Sequence, residues 1–375
     1  MTNRERLLAV LRGEMPDCVP VSPDFSNMIP CKLTGKPFWD IYLFKDPPLW
    51  RAYIDAMKLF DNDGGFELYD YGPVDVVNGT RPETEERIVY RDSERIFTQA
   101  FDPRTGQWSA RGISYSAVNP PVENVAPSLY GVPQPPREWE PVDAKPQPEG
   151  YEAWLAIRDL VGNSGIVGMS SGFGTFVLGN EADVYSFHDN PGPWIEKIQR
   201  MTEDSLARLE AIARLPAKPD FLTCGGSGTL IFQTPGFVRE HILPGLKRVT
   251  RRAAEIGIPT HIHSCGPEKA LVDMVVKETD LTVIDPLEIP PMGDCTLGEM
   301  KRLYGERIVL KGNLHTTQVM LLGSRDDVVR ASRKAIDDAG KGGRFILSTG
   351  DQCGRETPLE NIRAMVETAR TYGRY

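Results

Sequence analysis

The chain has 375 residues, of which 40% are hydrophobic and 25% charged, a balance typical of a soluble globular protein. A net charge of −9 argues against nucleic acid as a main ligand, because phosphate binding requires a basic face. Since no run approaches the roughly 20 apolar residues of a membrane span, and the N-terminus lacks a signal-peptide core, we expect a cytoplasmic protein with no membrane contact.

The first predicted elements are an N-terminal helix and two strands. In NRERLLAVLRGE the apolar residues share one helical face. Residues 19–25 and 64–72 are predicted strands, with helical patterns across 36–60 between them. Residues 85–117 are rich in β-forming residues separated by turn signals, which predicts a small antiparallel sheet inserted into the main fold. The proline-rich stretch 119–148 predicts a surface connector.

Beyond the insertion, short apolar runs alternate regularly with helical patterns. With the two N-terminal strands included, the strands begin with VPVS, FELY, IVGM, FLTC, IPTH, LTVI, RIVL and RFIL. Eight successive βα units predict a closed (β/α)8 TIM barrel. A doubly wound open sheet is the alternative, but no GxGxxG motif follows the first strand. We therefore expect one α/β barrel domain over residues 1–375, with an N-terminal helical extension and the β insertion.

Chemically reactive side chains are concentrated at the predicted strand ends. Barrels of this kind carry their reacting groups at the C-terminal ends of the strands. The residues at or just past these ends are Asp24, Tyr69, Tyr71, Ser170, Ser171, Cys224, His263, Cys265, Asp285, Glu288, Asn313, His315, Asp351 and Cys353. This clustering is the main sequence evidence for a functional site.

The stretch HIHSCG, residues 261–266, predicts a metal site. Alternate residues of a strand share a face, so His263 and Cys265 point to the same side. Cys353 follows the last strand and faces the same barrel mouth. One imidazole and two thiolates with an open fourth position are typical of a catalytic zinc site. A lone buried His or Cys is more often an ordinary core residue, so the prediction depends on all three side chains converging.

Two acidic residues and one further cysteine have both a functional and a structural interpretation. Asp285 and Glu288, in IDPLE, could act as general acid and base or add a metal ligand, or could cap the next helix. Cys224 precedes GGSG, whose glycines suggest close backbone approach to a bound molecule. We interpret Cys224 as part of the substrate pocket.

Four other strand-end residues are candidates for substrate binding. Asn313 and His315 follow the seventh strand in GNLH, although His315 could simply bond a loop carbonyl. Tyr69 and Tyr71 could form the wall for a flat ligand, or could pack under the inserted sheet.

Over nearly its whole length the chain resembles the uroporphyrinogen decarboxylase superfamily, and more closely its zinc methyltransferase branch. The segments that carry the resemblance are TNRERLLAVLRGEMPDCVPV, FVREHILPGLKRV, HSCG, GNLHTTQVMLLGS and ILSTGDQCGRETPLENIRAMVETARTYG. The zinc ligands of that branch, an H-x-C and a distant Cys, match His263, Cys265 and Cys353. The resemblance implies a zinc-dependent methyltransferase that works with a separate corrinoid protein and a small methylated substrate.

Two departures from the family patterns bear on the substrate. The decarboxylase has an arginine-rich segment after its first strand, whereas here no arginine lies between Arg12 and Arg51, and a polycarboxylate porphyrinogen needs fixed positive charge. In addition, Asp351 and Gln352 precede Cys353, where family members often place the Cys directly after the glycine. We therefore favour an O-methyl substrate. A methylcobamide:thiol methyltransferase, a metal-free decarboxylase-like lyase and a non-catalytic corrinoid-binding barrel are the alternatives.

Overall fold

The computed structural model describes residues 1–69, 84–175 and 177–375. Within these ranges the strands, in chain order, are β1 (Glu85–Arg91), β2 (Arg95–Asp102), β3 (Gln107–Ser116), β4 (Val122–Val125), β5 (Glu140–Pro141), β6 (Met169–Ser170), β7 (Leu222–Thr223), β8 (Thr260–His263), β9 (Val283–Asp285), β10 (Val309–Leu314) and β11 (Phe345–Thr349).

The helices lie at the N-terminus and between the strands that follow the insertion. The α-helices are α1 (Asn3–Leu11), α2 (Met28–Leu33), α3 (Phe38–Tyr42), α4 (Leu49–Phe60), α5 (Gly150–Val161), α6 (Glu181–Asp189), α7 (Gly192–Ala213), α8 (Pro235–Phe237), α9 (Leu243–Glu255), α10 (Lys269–Glu278), α11 (Leu297–Tyr304), α12 (Arg325–Ala339) and α13 (Leu359–Tyr372). Val238–Ile242 and Thr316–Leu321 are π-helical. No helix in the described part of the chain is both long and apolar enough to cross a membrane.

A ring of parallel segments forms the frame of the molecule. Strands β6 to β11 make a parallel sheet in chain order. Two N-terminal segments close the ring, because Val21 forms a parallel bridge with Leu347 of β11 and Gly64 forms one with Gly165, just before β6. The backbone N–H of Asp63 donates to the carbonyl of Val21 at 2.8 Å and joins these two segments. The eight predicted runs therefore close into the predicted barrel.

The barrel strands are apolar because both of their faces are covered. Every residue of β9, β10 and β11 is buried, as expected for parallel strands under an outer layer of helices. Burial of each large aliphatic side chain contributes about 1.5–3 kcal/mol of transfer free energy. A frame packed in this way holds the strand ends, and the side chains that they carry, in fixed relative positions.

A buried ionic network closes the N-terminal end of the barrel. The carboxylate of Asp63 is fully buried and accepts hydrogen bonds from Arg6 of α1 and Arg370 of α13, each at 2.6 Å. It also accepts a hydrogen bond from the backbone N–H of Val21 at 2.9 Å. Asp63 thus connects the first helix, the last helix and the first two barrel segments.

The insertion is larger than the sequence pattern indicated. Strands β1 to β5 form an antiparallel sheet in the order β4-β3-β2-β1-β5, so the sheet extends beyond the predicted 85–117 and takes β4 and β5 from the predicted connector. Pro141 is tolerated because β5 is an edge strand, where a missing N–H leaves no ladder bond unmade. The guanidinium of Arg87 lies 3.7 Å from the ring centroids of both Phe101 and Trp139, which fastens the segment before β5 to the sheet.

Candidate active site at the barrel mouth

A cavity of about 380 Å³ lies at the C-terminal ends of the barrel strands. Its wall on one side is aromatic, with Tyr53, Phe66 and Tyr69. The Tyr53 hydroxyl donates to Asn27 Oδ1 at 3.0 Å, which fixes the orientation of that ring. Of the two predicted tyrosines, Tyr69 lines the cavity, while Tyr71 lies outside the described residues.

The cavity also carries ionisable groups, which strand register brings to one level. In the register of β8 with β9, His263 is paired with Asp285. In the register of β9 with β10, Ile284 is paired with Leu310, so Lys311 comes beside Asp285. Three charged or titratable side chains from neighbouring strands therefore meet in one layer of the barrel interior.

Asp285 is the centre of this layer. Its Oδ1 lies 2.9 Å from His261 Nε2 and 3.1 Å from His263 Nδ1, and its Oδ2 accepts a hydrogen bond from the ammonium of Lys311. Burial alone would raise the pKa of Asp285, but the neighbouring Lys311 cation and the two histidines hold it well below the usual range. Asp285 is therefore a carboxylate that accepts from three partners, which fits an orienting role for this predicted catalytic residue.

The bond to Asp285 directs the two ring nitrogens of His263. Because Nδ1–H donates to the carboxylate, Nε2 is turned to the mouth, where it lies 3.5 Å from Asp351 Oδ1. Burial lowers the pKa of His263, but attraction to Asp285 outweighs it and raises the pKa well above the usual value. A carboxylate that fixes one imidazole nitrogen and frees the other is the usual outer-shell arrangement around a metal-binding histidine.

Three side chains of metal-binding type converge at this nitrogen. Ligand atoms of Asp24, His263 and Asp351 lie within 4.8 Å of one another. Asp351 has a φ of 130°, a backbone conformation that favours glycine and that is concentrated at functional sites in proteins. Both carboxylates come from strand-end segments that the sequence had marked, although neither was among the predicted ligands.

The two predicted thiol ligands, Cys265 and Cys353, are not members of this group in the described part of the chain. Cys265 is partly exposed, and its Sγ lies 2.7 Å from the Ser227 hydroxyl. Cys353 is fully buried, and burial raises the pKa of its thiol to about 12. Its backbone N–H donates to the carbonyl of Asp24 at 2.9 Å, which ties the loop after β11 to the first barrel segment. The His263–Cys265–Cys353 ligand set stays a prediction, with the carboxylate pair beside it.

Glu288 and Cys224 are not among the described residues that line the cavity. Glu288 is buried, and its Oε2 accepts a hydrogen bond from the backbone N–H of Gly266 at 2.6 Å, so it shapes the turn after Cys265. Burial raises the pKa of Glu288. Cys224 is fully buried with its pKa raised to about 12 by burial, and its neighbours Thr223 and Gly225 are the ones that line the cavity.

Asn313 and His315 make local structural bonds. The side-chain amide of Asn313 donates to the carbonyl of Leu287 at 2.7 Å. The Nδ1 of His315 accepts from the backbone N–H groups of Thr317 and Gln318 at 3.1 and 3.2 Å, which caps the π-helical turn that follows. Neither Asn313 nor His315 is among the described residues that line the cavity, and a role in substrate binding stays a prediction for both.

Two charged cavity residues were missed from the sequence. Lys311 is only 2% exposed, and a lysine within the apolar run RIVLKGNL was a usable signal, since lysine is almost never fully buried unless it is paired. Glu67 follows Phe66 in the second barrel segment and lines the cavity. It lies between two buried apolar residues, and this alternation does not show whether the charge faces outward or into the barrel.

Comparison with known proteins relates part of the chain to a known family. Residues 228–372 match the uroporphyrinogen decarboxylase (URO-D) family. A methylcobamide:CoM methyltransferase, MtbA of Methanosarcina mazei, is 28% identical over 138 residues, which cover 36% of this chain and 37% of that protein. A uroporphyrinogen decarboxylase of Anaeromyxobacter dehalogenans is 28% identical over 137 residues, which cover 36% of each chain. The matched segments thus span little more than a third of these curated relatives.

The fold likeness extends much further than the sequence match. A methyltransferase from Methanosarcina mazei superimposes with a TM-score of 0.63 at 18% identity and covers 99% of both chains. The barrel and the positions of its elements are therefore shared over the whole length. Residues 228–372 thus carry a likeness to the uroporphyrinogen decarboxylase family, and the whole chain shares the fold of a methyltransferase.

Proposed function

We propose that this chain is a zinc-dependent methyltransferase that moves a methyl group from a small O-methyl compound to the cobalt of a partner corrinoid protein. The observation that carries the proposal is the orientation of His263, whose Nδ1 is bonded to Asp285 while its Nε2 is directed into a cluster of metal-binding side chains. The methylcobamide methyltransferases among its relatives support the choice of reaction.

The donor set fits zinc. His263 would supply a nitrogen, and Cys265 and Cys353 would supply sulfurs, which favour zinc over magnesium or calcium. Asp24 and Asp351 are the nearest additional oxygen donors. A bound zinc ion supplies Lewis acidity, which polarises the oxygen that carries the methyl group.

The residues around His263 would keep the site in one arrangement. Lys311 neutralises Asp285, and Asp285 holds the imidazole ring, so that the ring does not reorganise during the reaction. Glu288 holds the turn at Gly266, directly after Cys265. Asp285 and Glu288, which hold the segments of the predicted ligands His263 and Cys265, are thus buried side chains with hydrogen bonds of their own.

The cavity supports a small, weakly charged substrate. Its volume of about 380 Å³ is at the lower end of the range of about 300–1,000 Å³ for small-molecule sites. The aromatic wall of Tyr53, Phe66 and Tyr69 suits a flat ring or a methyl group. Apart from histidines, Lys311 is the cation among the described lining residues, and it is bonded to Asp285. A polycarboxylate porphyrinogen would find little positive charge here.

Methyl transfer to cobalt tests this proposal directly. Free Co(I) cobalamin and the untagged protein are mixed with a panel of aryl and alkyl methyl ethers, and formation of methyl-Co(III) is followed by its absorption spectrum. We expect methylation with at least one ether, and its loss together with zinc in Cys265→Ser. Cys31→Ala, at a buried cysteine in α2 that the proposal does not use, is the matched control.

The alternatives give different results in the same assay. A thiol methyltransferase would consume methyl-Co(III) when thiols are added and would leave ethers unchanged. A metal-free lyase would hold no stoichiometric zinc, and a corrinoid-binding barrel would bind the carrier without turnover.

A further inference from the structure

Glu67 is a carboxyl group that faces the cavity near two like charges, Asp24 and Asp285, and one opposing charge, Lys311. It comes at the end of the second barrel segment, directly after Phe66, and lines the same cavity as His263. The hydrogen bond that its carboxylate accepts comes from its own backbone. Asp285 is by contrast bonded to three side chains.

The groups that face Glu67 come from several elements. Asp24 of the first segment and Asp285 of β9 are like charges, Lys311 of β10 is the opposing charge, and Tyr53 of α4 stands nearby. Burial, followed by the charge of Asp24, raises the pKa of Glu67 to about 7. The Lys311 cation lowers the pKa by a smaller amount. At neutral pH this carboxyl group therefore carries a proton in a large fraction of molecules.

We propose that Glu67 is the catalytic acid that protonates the oxygen from which the methyl group departs. This inference rests on the proposed function, since it presumes an O-methyl substrate. It assigns to the reaction a residue that lies on a different strand from every predicted metal ligand.

The step balances without any further reactant. The two electrons of Co(I) form the new cobalt–carbon bond, and the pair of the broken carbon–oxygen bond stays on the oxygen. The O–H bond of the Glu67 carboxyl breaks, and its proton forms the O–H bond of the product alcohol or phenol. Glu67 is left as a carboxylate and regains a proton from water before the next turnover.

The need for an acid points to oxygen rather than nitrogen as the departing atom. Removal of a methyl group from an ether leaves an anion, which a proton neutralises. Removal of one from a quaternary ammonium ion leaves a neutral amine, which needs no proton. A protonated carboxyl in the wall matches the first case.

Substrates with different leaving groups test the acid. Glu67→Gln keeps the shape of the side chain and removes the proton, and Glu152→Gln, at an exposed carboxyl of α5, is the control. For alkyl methyl ethers, whose alkoxide is a poor leaving group, we expect kcat in Glu67→Gln to fall by about 10²–10⁴-fold. For methyl ethers of acidic nitrophenols we expect less than a tenfold fall, with zinc content unchanged. Glu67→Asp should restore part of the alkyl-ether rate.

The outcomes separate this inference from the proposed function. If the wild-type protein demethylates ethers and Glu67→Gln slows all of them equally, or none of them, Glu67 is not the acid and the proposed function stands. If the wild-type protein demethylates no ether, the proposed function fails and this inference fails with it. Folding of each variant is checked by thermal denaturation, and Glu67→Asp provides a second measurement if the amide variant does not fold.

Discussion

Replacement of Lys311 by methionine tests the buried layer that holds His263. Lys311 and Asp285 are 2% and 1% exposed, so each charge depends on the other for its compensation. Methionine fills a similar volume but leaves the Asp285 carboxylate buried with only its two histidine bonds. Removal of one partner of a buried ion pair typically costs about 3–5 kcal/mol. Since the raised pKa of His263 leaves a cation beside Asp285, we expect a loss near the lower limit, about 3 kcal/mol.

Urea denaturation of the metal-free protein measures this loss. The double variant Lys311→Met/Asp285→Asn removes both charges and should be more stable than the sum of the single effects predicts, by about 0.5–3 kcal/mol. Lys334→Met is the control, because its pair with Asp338 is on the surface of α12, and such pairs contribute about 0.3–0.5 kcal/mol. A loss below about 1 kcal/mol for Lys311→Met, or strict additivity in the double variant, would refute the reasoning.

Three further changes test other parts of the structure. Asp63→Asn removes the charge shared by two arginines at the N-terminal end of the barrel, and we expect a loss of about 3–5 kcal/mol in the free energy of unfolding, with a lower Tm. His315→Ala removes a helix cap and should lower the free energy of unfolding by about 1 kcal/mol. A rise in KM in the same variant would show that His315 also binds substrate. The pKa of Glu67 is about 7 in the fold against a usual 4.5, so between these values the folded state binds more protons, and stability falls as pH rises. Glu67→Gln should abolish that part of the fall, and an unchanged pH profile of Tm would contradict the raised pKa.

The barrel was predictable because its signal is repeated. Eight apolar runs, each followed by a helical pattern, specify the architecture even where a single run is weak, as in the two N-terminal segments. The insertion was predicted too short, because prolines concealed β5. An edge strand tolerates a proline that a central strand would not, and edge position depends on the tertiary fold.

The site was predictable only in part. HIHSCG located the end of β8 at which His263 meets Asp24 and Asp351, since strand alternation is a local property. The bond between Lys311 and Asp285 joins residues 26 positions apart and depends on the register of β10 with β9, which local patterns do not specify. The position of Asp351 depends on a backbone conformation with a φ of 130° that its residue type does not favour.

The central claim is that His263, Cys265 and Cys353 bind one zinc ion at the mouth of the barrel. Zinc K-edge X-ray absorption of the untagged protein measures the ligands directly. We expect stoichiometric zinc with two sulfur ligands at about 2.3 Å and one imidazole nitrogen at about 2.0 Å. Protein without zinc, or zinc surrounded only by oxygen and nitrogen from Asp24, His263 and Asp351, would contradict it.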